Sequence, residues 1–65
     1  MIRENLTNDE LNWLAGIMLD RELSNDIEEY LFGNILRPDI PVSDDILKLA
    51  QAMLYDSKLR NEVLC

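Results

Sequence analysis

Apolar residues recur along this chain at helical spacing, and three apolar runs open on the same signal. That signal is a hydroxyl residue followed by two small polar ones: Thr7-Asn8-Asp9, Ser24-Asn25-Asp26 and Ser43-Asp44-Asp45. An oxygen so placed accepts a hydrogen bond from an amide two or three residues on, satisfying a donor that the first helical turn leaves unpaired. Each triplet therefore reads as a helix start. The first helix is expected over about residues 8–22, where Thr7 and Glu10 have the spacing of a reciprocal capping box and Leu6 and Leu11 that of a hydrophobic staple. Leu11, Leu14, Ala15 and Met18 form its apolar stripe, widened by Trp13, Ile17 and Leu19 until only a narrow polar arc remains. Gly16 lies on that arc, where a close backbone neighbour would fit.

A second helix is expected over about 25–36, starting at Ser24 or at Asn25, which pairs with Glu28 in capping-box spacing. Ile27, Leu31 and Ile35 give it an inward stripe. Two ends are open to it: a left-handed cap at Gly33-Asn34 after Phe32, or continuation to Leu36 before Pro38 disfavours helical geometry at Arg37. Continuation is the favoured reading. Pro38 and Pro41 stiffen the connector that follows. The third helix is expected over 44–55, with Ile46, Leu49, Ala50 and Met53 on one face. Extending it past Tyr55 would carry Ser57, Arg60 and Asn61 into that face, so the phase predicts a break at Asp56 and a short fourth helix over 57–64. No segment alternates as a strand does. The expected fold is all-α, one helical domain over 1–65: a small orthogonal or bundled arrangement of three helices plus a short C-terminal fourth.

A 65-residue chain rarely holds more than about 3 to 5 kcal/mol of net stability by its own core. One cysteine, Cys65, excludes an internal disulfide, and one thiol without histidine does not make a zinc site. Good helix packing or self-association must serve instead. The longest apolar stretch, Trp13 to Leu19, is far short of the roughly 18 to 20 residues that span a bilayer. With no apolar leader at the N-terminus, a cytoplasmic location away from membranes is expected. The net charge of −7 changes this picture less than its size suggests. Asp9, Glu10, Asp26, Asp44, Asp45 and Asp56 all stand at expected helix starts, where carboxylates oppose the positive end of the helix dipole.

Catalysis is not expected. The chain has no histidine, and so lacks the commonest general base and metal ligand. Its two glycines are isolated, which excludes a phosphate-binding loop, and no acidic run has the spacing of a calcium loop. No cofactor and no metal are therefore assigned. Direct nucleic-acid binding is excluded on charge, because the second helix carries Asp26, Glu28 and Glu29 and has only Arg37 beyond it.

What remains is protein association. More large apolar residues are present than three short helices hide easily, and Trp13 and Ile17, with Phe32 and Leu36 as a second patch, are the candidate contacts to a protein partner. The same surface pairing with itself would make a homodimer. A different class of function rests on Asp20, Glu22, Asp26, Glu28 and Glu29, an acidic face suited to imitate DNA phosphates toward a nucleic-acid-binding protein. In size and composition the chain is similar to small accessory proteins of phages and other mobile elements, many of which bind and inhibit a host protein. That likeness has no residue motif behind it and implies a regulator or inhibitor only by analogy.

Overall fold

A computed structural model describes residues 2–65, of Ile2 the backbone alone; Met1 lies outside the described residues. After a 3-10 turn at Ile2–Asn5 come α1 (Asn8–Ile17), α2 (Arg21–Leu31), α3 (Asp44–Tyr55) and α4 (Ser57–Leu64). The fold is all-α, with no strand among the described residues. α3 packs against each of α1, α2 and α4, while the 3-10 turn packs against α4.

Thr7 begins α1 as expected. Its Oγ1 accepts from the Glu10 amide at 3.1 Å, and its own amide donates to Glu10 Oε1 at 2.8 Å. The helix nevertheless ends at Ile17, not near residue 22. The Leu19 and Asp20 amides donate to the carbonyls of Gly16 and Ile17 in tight three-residue turns. Asp20 then turns extended, at φ −108° and ψ 92°, and its carboxylate accepts from the Leu23 amide at 3.0 Å. One short acidic side chain thus stops α1 and starts α2, because it offers the backbone an alternative to the helical ladder. The expected start at Ser24 or Asn25 is corrected accordingly. Ser24 is buried inside α2 and donates its hydroxyl to the Arg21 carbonyl at 3.0 Å. Asp26 likewise lies in mid-helix rather than at a helix start.

The C-terminus of α2 is also corrected: it ends at Leu31 instead of running to Leu36. The Asn34 amide donates to the Glu29 carbonyl and the Gly33 amide to that of Tyr30, both at 2.9 Å, with Gly33 at φ +82°. This paired arrangement is the Schellman cap, and glycine enters its left-handed position without a Cβ penalty. The connector beyond wraps around Arg37. The guanidinium donates to the carbonyls of Pro38, Ile40 and Val42, while Nε meets Asp44 Oδ1 at 3.0 Å. Backbone acceptors of an irregular segment thereby gain a partner, and Ile40 is carried into the core.

α3 and α4 run where the sequence places them. Ser43 occupies the cap position of α3 without a side-chain capping bond. Asp56 does cap α4, its Oδ1 accepting from the Lys58 and Leu59 amides at 3.1 Å each. The core joins Leu14 and Ile17 of α1, Ile27 of α2, Ile40, then Ile46, Leu47, Ala50 and Met53 of α3, and Val63 of α4. Full burial of a side chain such as Leu14 or Leu47 contributes about 1.5 to 3 kcal/mol. Outside its own helix backbone and chain neighbours, no atom of the described residues lies within 4 Å of where a Gly16 Cβ would stand, so the close backbone neighbour expected there is not found among them.

Two measurements follow from these helix ends. By urea denaturation, Thr7→Ala, Asp20→Ala and Asp56→Ala should each cost about 0.5 to 2 kcal/mol, with Ser43→Ala costing less than any of them. The glycines should respond in opposite directions. Gly16→Ala should stabilise by about 0.5 to 1 kcal/mol because the site is open and helical. Gly33→Ala should destabilise by about 1 to 2 kcal/mol on its backbone angle alone.

Candidate functional site

A largely apolar concavity lies between α2 and α3. Leu31 of α2 and Lys48, Gln51, Ala52 and Tyr55 of α3 line a shallow groove of about 450 Å³. The four α3 positions fall on one face because they recur at intervals of three and four. On the α2 side, Glu28 stands one turn before Leu31, and its Oε2 accepts from the Tyr55 hydroxyl at 2.8 Å and from Gln51 Nε2 at 3.2 Å. Gln51 Oε1 is buried and has no hydrogen-bond donor among the described residues. Both donors to Glu28 are neutral, and no ion pair to this carboxylate occurs among the described residues.

A second carboxylate holds the other end of the same helix pair. Asp44 accepts from Arg37 Nε and, through Oδ2, from the Tyr30 hydroxyl at 2.8 Å. The Arg37 bond, followed by that from Tyr30, holds the Asp44 carboxyl below the usual aspartate range. The same contact raises the Tyr30 phenol, because its proton is shared with an anion. Tyr55 is raised likewise, chiefly by its bond to Glu28.

Of the expected contact residues, Phe32 and Leu36 stand 71% and 91% exposed. Ile17 does not remain a candidate: it is 2% exposed, a core residue of α1, because the helix turns that edge of its wide stripe inward. Trp13 is half-buried against the core and lines a recess with Pro41 and Val42, well apart in sequence from Phe32. Leu19 and Ile35, which the periodicity placed in the apolar stripes of the first two helices, are instead exposed, because both lie beyond the ends of those helices; Tyr55, which it did not single out, is exposed as well. The signal for Leu19 lay in Asp20, whose capping role places Leu19 in a turn.

The acidic face is divided by its bonding. Asp20 caps α2, Glu28 faces α3, and Glu29 accepts from Asn34 Nδ2 at 2.7 Å. Glu22 and Asp26 are exposed and share a small hollow with Asp20 and Leu23. No group of three metal-ligating side chains occurs among the described residues. No helix among them is long and apolar enough to cross a membrane. Comparison with protein-family models, with characterised proteins and with solved structures finds no match to this chain.

The two carboxylate contacts make a pH prediction of defined sign. Asp44 is depressed in the folded state, so its contribution is present above the ordinary aspartate pKa and is lost as pH falls below about 4. Tyr30 and Tyr55 are raised, so theirs is present below about pH 10 and is lost as pH rises past it. Urea midpoints measured across pH should show Asp44→Asn with a shallower acid limb. Tyr30→Phe and Tyr55→Phe should each make the alkaline limb shallower.

Proposed function

We propose that this protein acts by association with a larger protein, as its regulator or inhibitor, without catalysis of its own. The observation that supports this is the exposure of Phe32 and Leu36, with Ile35 at 44%, on one short segment after α2. A 65-residue chain that leaves such side chains in water carries apolar area fit for a partner, and aromatic residues are common anchors of interfaces. Trp13, half-buried, contributes at most an edge to the contact.

Two other readings are separable from it. Pairing of the protein with itself through the same residues would appear as mass rising with concentration in sedimentation. An acidic mimic of DNA draws less support, because Asp20, Glu28 and Glu29 are engaged within the fold. Glu22 and Asp26 are the acids on which a mimic would depend. Their neutralisation would then abolish binding, and binding would weaken steeply with salt.

The test is capture from the native cell on immobilised protein, comparing the native chain with Phe32→Ser/Leu36→Ser. Both sites are exposed, so the double variant should keep the native melting temperature within a few degrees. It should lose at least tenfold of the retained protein. Equal retention by both forms, or retention abolished by Glu22→Gln/Asp26→Asn instead, would count against this reading.

A further inference from the structure

The groove between α2 and α3 has features that define what would fill it. Its walls are Leu31, Ala52 and the ring of Tyr55, and Tyr55 is 74% exposed although its hydroxyl is tethered to Glu28. Phe32, the next residue after Leu31, is exposed at the same end of α2 but does not line the groove, which leaves Tyr55 as its aromatic anchor. Apolar walls with an aromatic anchor suit burial by a partner rather than solvation.

The polar groups at the groove set the charge of that partner. The Glu28 carboxylate takes its two hydrogen bonds from neutral donors, and Gln51 Oε1 is a buried acceptor with no donor among the described residues. Gln51 Oε1 is enclosed and out of a partner's reach, so Glu28 alone sets the demand: a carboxylate bonded only by neutral groups attracts a counter-charge. Lys48 also lines the groove, but it stands one turn after Asp44, whose carboxylate feels its charge. The local demand is therefore for a cationic donor near Glu28, and the whole-chain charge of −7 favours approach of a basic segment. The form of the segment follows from the walls. No strand edge exists among the described residues for an extended peptide to join, whereas two packed helices present a trough into which a third helix can lay its apolar face.

From this charge complementarity we propose that the α2–α3 groove receives a basic amphipathic helix of another protein, its apolar stripe on Leu31, Ala52 and Tyr55 and a lysine or arginine at Glu28. This rests on the association reading above and names the chemistry of the partner.

The probes are two synthetic peptides of about 18 residues, long enough to be helical, with the same leucine stripe and flanks of lysine in one and glutamate in the other. Amide shifts of the isotope-labelled protein should move on addition of the lysine peptide at Leu31, Gln51, Ala52 and Tyr55. The glutamate peptide should leave them in place. Ala52→Arg, at an exposed helix position that tolerates the change, should weaken the lysine peptide at least tenfold. The isosteric Glu28→Gln, which keeps an acceptor for Tyr55, should weaken it several-fold. Equal response to both peptides, shifts centred on the Trp13 recess, or affinity unchanged in both variants would overturn the proposal. A native protein captured through Phe32 and Leu36 whose binding survives Ala52→Arg would also overturn it, while leaving the association reading in place.

Discussion

Burial of α3 is the constraint on which the rest of the structure depends. It supplies Ile46, Leu47, Ala50 and Met53 to a core that draws only two residues from α1 and one each from α2, α4 and the connector. A helix of 12 residues cannot be covered by one straight neighbour on several sides, so the chain must reverse around it repeatedly. Each reversal needs an interruption whose backbone groups stay satisfied. Asp20 provides one between α1 and α2, Gly33 one after α2, and Asp56 one before α4. The acidic composition is thus partly a consequence of fitting four short helices around a small core. Aspartate is a short side chain that stops one helix and caps the next.

Arg37 solves the harder problem of the long connector. A segment carrying Pro38 and Pro41 cannot satisfy its carbonyls through a helical ladder, yet Ile40 must be delivered to the core. Folding the segment around one guanidinium meets both needs, since arginine offers five donors in a fixed fork. Its remaining contact, to Asp44, ties the connector to the first turn of α3, and Tyr30 ties the same carboxylate to α2. A lysine here would supply charge without the fork and could not replace these contacts together.

The outer faces of α2 and α3 divide into a region settled by the fold and a region left open. Around Asp44 the polar groups are mutually engaged, with Arg37 and Tyr30 meeting the carboxylate. Around Glu28 the engagement among the described residues is incomplete: the carboxylate is bonded by neutral groups, an amide oxygen has no donor, and aromatic surface is exposed alongside. Native folds leave few such groups, so their concentration beside an apolar groove directs attention there rather than to the acidic turn. The same fold draws Ile17 inward, which moves the candidate surface away from α1.

What the sequence determined by itself is what local physical chemistry dictates. Thr7 with Glu10 specifies a helix start within four residues, the phase break past Tyr55 requires a bend, and Asp56 is the residue able to cap it, so α3 and α4 could be bounded from the pattern alone. Ser24 and Asp20 show where this stops. Both residues suit a helix cap, and propensity does not choose between them; the choice belongs to the packing that buries Ser24 beside Ile27 and leaves Leu19 in the turn. Gly33 was one of two open ends for α2, and only the folded chain selected it. The pairing of Glu28 with Tyr55, 27 positions away, and of Tyr30 with Asp44 had no local signature. Contacts between helices depend on how α2 and α3 cross, and that crossing is set by the whole core rather than by any window of residues.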